Sequence, residues 1–244
     1  LFPLYPDRTV QVVNPLPGTW TLSIEGVQGS VSLPETITGE VALKQMSGFS
    51  GLNDINGHPA EAAIKLAVSE RLVDSKNTRN YEPNQALKRS DLAKFLVMGA
   101  GVRQYLPKNG VNTVNDVKAG DRAFVEAVLV DGAALKDRGQ ATKGVMLPVA
   151  IGKLSPDDKV TRDSLAYSLV QALGLEAEAK KRSNDSLTVQ YGDSRIVISD
   201  ASSVPVELRG YVQLALDLNI LNAYFSVEQG PYDLKPTIVA KFEP

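Results

Sequence analysis

The chain of 244 residues sets 26 Lys and Arg against 28 Asp and Glu, a net charge of −2, which argues against non-specific nucleic-acid binding, since that needs a basic surface, and leaves room only for a local basic site. At 43% hydrophobic and 22% charged it has the composition of a globular protein able to bury a core. With no cysteine and one histidine, His58, it cannot build thiol nucleophiles, disulfides, iron–sulfur clusters, cysteine zinc sites or multi-histidine metal centres, and no cofactor is expected.

Residues 1–46 read as a β region resembling the end of a sandwich. The runs 8–13 (RTVQVV) and 20–25 (WTLSIE) are β-branched or aromatic-rich, and the Pro and Gly of Asn14-Pro15-Leu16-Pro17-Gly18 force a turn between them. Residues 36–43 (TITGEVAL) form a third candidate strand. Three short strands cannot close a sandwich alone, so they finish a larger sheet or pack on the helical region after them. From Asp54 onward the pattern is helical. Residues 59–73 place Ala60, Ala63, Ile64, Ala67, Val68 and Leu72 at helical spacing behind Pro59, and residues 90–98 repeat it with Leu92, Phe95 and Leu96, with Gly99 as a left-handed cap.

The same grammar recurs at residues 121–130, at 162–173 (ended by Gly174) and at 205–221. Residues 187–191 and 195–199 alternate around Gly192-Asp193-Ser194, which reads as a hairpin inserted between repeats. The expected fold is therefore α+β: a short β region, then mainly helical repeats over 47–244. The copies run from about 47 to 107, 108 to 174 and 199 to 244, with the hairpin at 187–199.

Alignment of the copies sharpens the repeat. Tyr81-Glu82-Pro83, Leu154-Ser155-Pro156 and Phe242-Glu243-Pro244 each carry an apolar residue two before a proline, and in the first two copies an arginine, Arg89 or Arg162, follows the proline by six residues. Asp54-Ile55, Asp116-Val117 and Asp200-Ala201 stand at matching points before each first helix. The third copy reaches Pro244 without its arginine helix, and the chain starts at Leu1 without Met or a signal segment; we read it as a piece of a longer, processed polypeptide cut inside a repeat. No 18-residue apolar run is present, so no membrane insertion is expected.

These residues resemble S-layer homology modules, whose pattern has an Asp-apolar pair, a first helix with an Ala-Ile core, an aromatic-x-Pro turn and a Thr-Arg-Ala-Glu element opening a second helix. Here the elements are Asp54-Ile55, Ala63-Ile64, Tyr81-Glu82-Pro83 and Lys88-Arg89-Ser90-Asp91, then Leu154-Ser155-Pro156 and Thr161-Arg162-Asp163-Ser164. Residues 14–26 are similar to closing strands of the β-sandwich appended to secreted subtilisin-like serine peptidases. Together the resemblances imply the non-catalytic C-terminal part of a secreted bacterial peptidase, held at the cell envelope by anionic cell-wall polysaccharide bound between helical prongs. They imply ligand-binding roles for Arg89, Arg162, Tyr81 and Asp54, because a guanidinium at a helix N-terminus favours carboxylate or phosphate. The competing reading is that each arginine bonds nearby loop carbonyls and holds the turn.

Pro59 replaces the module's Trp, so sugar stacking would fall to Tyr81, Tyr105 or Tyr167, each of which also reads as a core or rim residue. Further partners implied are a second copy of the chain or the parent peptidase domain. The alternative function is a structural or oligomerising appendix that keeps the fold without the ligand.

Catalytic constellations fail. His58 precedes a helix-starting proline and reads as a cap or packing residue. Gly48-Phe49-Ser50-Gly51 lacks the spacing of a nucleophile elbow, and Ser194 sits at a hairpin tip. Around Asp54 an EF-hand would need an acidic residue at Leu52 and a glutamate at Ala63. Gly99-Ala100-Gly101 follows a helix rather than a strand, which removes dinucleotide binding. The Asp157-Asp158 pair reads as a solvated loop or a cap, and Asn184-Asp185-Ser186 as a chance glycosylation sequon. No enzyme activity is expected of this chain.

Overall fold

The computed structural model describes residues 19, 21, 51–70, 72–77, 79–100, 102, 112–130, 143–184, 186–230 and 234–244. Apart from Thr21, the strands expected at 8–13, 20–25 and 36–43 lie outside these residues, as does Tyr105. The described part is α+β, with six helices and two separate antiparallel hairpins.

The helices are α1 (Glu61–Ser69), α2 (Arg89–Gly99), α3 (Ala119–Leu129), α4 (Arg162–Ala172), α5 (Glu176–Lys181) and α6 (Val206–Asp217). Two are shorter than their apolar periodicity predicts, for one reason. After α1, the amides of Leu72 and Val73 both donate to the Ala67 carbonyl; after α6, those of Ile220 and Leu221 both donate to the Ala215 carbonyl. Such backward bonds turn the chain off the axis while the next apolar residues still reach the core. Asn219, at φ 54°, makes this turn after α6, as Gly174, at φ 67°, does after α4. Gly99 stays within α2 instead of capping it in the left-handed region. A Cβ there would stand 2.7 Å from the Leu72 carbonyl oxygen, so its smallness serves close approach to the end of the preceding helix segment.

The predicted hairpin forms as β1 (Thr188–Tyr191) and β2 (Ser194–Val197), with Tyr191 opposite Ser194 across a two-residue Gly192-Asp193 turn. The α6 side chain of Gln213 fixes it, accepting from the Thr188 amide at 2.8 Å and donating to the Thr188 carbonyl at 3.0 Å. A second hairpin, β3 (Tyr224–Glu228) with β4 (Thr237–Lys241), and the six-residue α5 are additions to the sequence reading. The first is split by a long connection, and the second is too short to display a helical period.

Side chains gather into three clusters. Leu52, Ile55 and Ile64 form a small one under α1. A second joins Leu92 and Leu96 of α2, Val125 and Val128 of α3, and Leu154. The largest joins α4, α5, α6 and the hairpins through Val170, Ala179, Val189, Val212, Ala215 and Phe242. Helix α4 belongs to both large clusters: Leu165, Leu169 and Ala172 face the second, Ala166, Tyr167 and Val170 the third. The recurring contact is between an arginine-headed helix and the next copy's first helix: α2 on α3, then α4 on α6.

Candidate functional site

Each copy builds one local unit from its aspartate and its proline turn. The Asp54 carboxylate accepts from the amides of Tyr81 (2.9 Å) and Glu82 (2.6 Å). Asp116 does the same for Leu154 (3.0 Å) and Ser155 (2.8 Å), and Asp200 for Phe242 (2.8 Å) and Glu243 (2.7 Å). The middle turn residue is left-handed each time: Glu82 at φ 64°, Ser155 at φ 55° and Glu243 at φ 55°. A non-glycine residue there is costly, and two charge-assisted bonds from one carboxylate offset that strain by holding both amides on one side.

The electrostatics agree. The Asp54 carboxyl is held below its ordinary value chiefly by the Tyr81 amide; desolvation pushes it up, and the amides of Glu82 and of Asp54 itself add to the lowering. At Asp116 burial pushes upward, but the Leu154 and Ser155 amides, its own backbone and Lys153 together hold it below the ordinary value.

The arginines join one copy to the next. Arg89 is 7% exposed; its Nε donates to the Leu154 carbonyl at 2.7 Å and its Nη2 to the Leu147 carbonyl. Arg162 donates from Nε to the Phe242 carbonyl at 2.8 Å, from Nη2 to the Asn222 carbonyl and from Nη1 to the Tyr224 hydroxyl at 3.2 Å, and its guanidinium lies over the Tyr224 and Phe242 rings. Both guanidinium groups thus meet the first residue of the next copy's turn. Burial pushes the Arg89 guanidinium down from its usual range, opposed by Asp158 and Asp116.

Backbone bonds reinforce the first joint. The amides of Arg89 and Ser90 donate to the carbonyls of Asp158 and Pro156 at 3.0 Å each, and the Val160 amide donates to the Leu87 carbonyl at 2.8 Å. Two donors left unpaired by the start of a helix are therefore satisfied by the neighbouring turn, and α2 has no side-chain cap. Lys88 pairs with Asp157 at 2.8 Å across the same seam. At α4, Thr161 bonds the Ser164 hydroxyl at 2.8 Å rather than a backbone amide.

The other singled-out residues find plain places. His58 Nδ1 accepts from the Ala60 amide at 3.1 Å beside the start of α1. Tyr81 is half-buried against the small cluster. Tyr167 is 3% exposed, donates to the Gly144 carbonyl at 2.8 Å and packs its ring at a tilt against that of Tyr211. Between the first two copies a cavity of about 20 Å³, lined by Arg89, Leu92, Met146, Leu147, Ser164 and Tyr167, has room for about one water.

A larger open depression of about 300 Å³ lies beside the first hairpin, among Arg182, Ser186, Thr188, Arg195, Gln213 and Asp217. Asp217 pairs with Arg195 at 2.7 Å and Arg182 at 3.4 Å. Sequence reasoning did not find this network, because its members meet only when the hairpin folds onto α6. Among the described residues no acidic, histidine or cysteine cluster could hold a metal ion.

The first copy contains Asp54, the Tyr81 turn and Arg89 in the order just described, and this stretch is what the comparison with known families recognises. Residues 51–93 match the S-layer homology domain. Domains of this type generally anchor proteins to the cell envelope through cell-wall polysaccharide, which implies surface or envelope attachment. No curated protein matches the chain. Among the described residues no helix is long and apolar enough to cross a membrane.

Proposed function

We propose that this chain is a non-catalytic anchor that holds a secreted polypeptide at the cell envelope by binding anionic cell-wall polysaccharide. The S-layer homology match over residues 51–93 carries the reading. Arg89, Arg162, Tyr81 and Asp54 are assigned to the binding region: Asp54 and Tyr81 shape the turn, and the two arginines set the form and positive charge of the seams between copies. An anion held largely by cations is released by salt, so sedimentation with purified wall polymer should saturate and weaken as ionic strength rises. Arg89→Ala with Arg162→Ala should abolish it, provided thermal melting shows the variant folded. Undiminished binding by the folded double variant removes these arginines from the site.

The second reading, a structural or self-associating appendix without a ligand, is favoured by one observation: the arginines direct Nε and Nη2 at backbone carbonyls. Concentration-dependent light scattering without sedimentation on walls would establish it. We infer that the anchored cargo is a subtilisin-like serine peptidase, on the resemblance of residues 14–26. The reading frame upstream of Leu1 tests this, and a different catalytic domain there rejects it.

A further inference from the structure

We infer that the tip formed by residues 147–151 is a lipid-docking finger, which enters the headgroup layer of an anionic membrane without spanning it. The run Leu147-Pro148-Val149-Ala150-Ile151 contains no polar side chain, and all five residues are exposed, Val149 by 52% and Ile151 fully. Exposed apolar residues occurring singly need no explanation, but five in succession on a surface call for a function. The fold does not demand them. The six residues before Leu154 begin Pro148-Val149-Ala150-Ile151, whereas the six before Tyr81, at the matching turn of the first copy, are Ser75-Lys76-Asn77-Thr78-Arg79-Asn80.

The tip is also held rigidly. The Lys153 amide donates to the Ala150 carbonyl at 3.0 Å across Ile151 and Gly152, Gly152 takes the left-handed place at φ 73°, and the Val149 amide donates to the Lys153 carbonyl at 3.0 Å. From outside the turn, the Asn115 amide holds the Gly152 carbonyl at 2.9 Å and Arg89 holds that of Leu147. Ile151 is thus presented on a preformed turn, so docking costs little ordering of the chain.

Shape and charge select the occupant. A convex apolar tip needs either a matching recess or a medium that deforms around it. Neither cavity described above supplies the recess: the first has room for about one water, and the second is lined by Arg182, Thr188, Arg195, Gln213 and Asp217. A second copy of the chain is therefore a poor host, and the boundary between headgroups and acyl chains a good one. Lys153 stands two residues beyond Ile151 and is exposed, placed to meet headgroup phosphates. The carboxylates of this stretch are engaged or balanced. Asp116 is taken by the amides of Leu154 and Ser155, Asp157 by Lys88, and Asp158 adjoins the exposed Lys159. The inference stands apart from the polysaccharide reading, because its probe contains no glycan.

Flotation of the full chain with vesicles of equimolar phosphatidylglycerol and phosphatidylcholine tests it. The chain should rise with these vesicles and less with phosphatidylcholine alone, and Ile151→Asp should lower the partition coefficient roughly tenfold or more. Lys153→Glu should lower it roughly fivefold at low salt and less at high salt. Because Ile151 is fully exposed, its replacement should leave thermal melting unchanged. Ile151→Trp should give an emission that shifts to the blue on addition of vesicles, beyond any shift of the parent, whose one tryptophan is Trp20. A parent chain that fails to float, flotation undiminished by Ile151→Asp, or an unshifted Ile151→Trp emission would each overturn the inference. Self-association without flotation, abolished by Ile151→Asp, would also overturn it and assign the tip to a second copy.

Discussion

Three aspartates separated by long, unequal loops do one job, and the chemistry of a carboxylate explains why that position is acidic. Asparagine offers one acceptor oxygen without charge; aspartate offers two, each taken by a turn amide. The depressed ionisation of Asp54 and Asp116 has a definite consequence for stability. Because each is acidified on folding, its contribution is present above its unfolded value of about 3.9 and is lost as pH falls through the lower folded value. The double variant Asp54→Asn, Asp116→Asn should melt lower than the parent at neutral pH, with the difference shrinking to nothing in strong acid; melting curves across pH 2–7 would show it. Arg89 makes the complementary case. Arg89→Ala strips a charged donor from two carbonyls in a buried seam and should cost roughly 1.5–3 kcal/mol in denaturant unfolding. Lysine should recover little of this, since a single ammonium cannot present the fork that reaches both oxygens.

At the scale of elements, what was legible in the sequence is what local rules control. Helix α4 starts at Arg162 as its periodicity predicts and stops before Gly174, and the first hairpin forms around Gly192-Asp193, where turn chemistry leaves little choice. Helix ends set by tertiary wrapping, such as that of α1 at Ser69, were not legible, because the backward bonds depend on where the following apolar residues find a core. The matched spacings of aspartate, turn and arginine were visible in the letters; the arginines' partners, 58 to 80 residues away, were not. Gly210 illustrates the same divide. Nothing in its surroundings in the chain explains a glycine inside α6, yet a Cβ there would strike the carbonyl of Ala179 in α5. Gly210→Ala should therefore push α5 from α6 and destabilise by about 1–3 kcal/mol, despite alanine's better helix propensity. Chemical denaturation would measure it, and a neutral or stabilising result would mean that α5 yields freely.

For the whole molecule, the unequal clusters predict an order of opening. Among the described residues only Leu52, Ile55 and Ile64 form the buried cluster beneath α1, whereas α6 is buried from Gly210 to Leu216. Native-state hydrogen exchange should release α1 first and α6 last, with α4 opening only when both large clusters do, since its two faces belong to one each. Protection of α1 equal to that of α6 would contradict this. The two arginine joints also differ in how far apart their paired carbonyls stand in the chain: Leu154 is the seventh residue after Leu147, whereas Phe242 is the twentieth after Asn222, where the second hairpin is spliced in. The guanidinium nevertheless finds both oxygens in each case. The splice thus accepts extra length at the joint, but its own Tyr224 joins the Arg162 guanidinium, so foreign sequence lodged there should spare that one side chain.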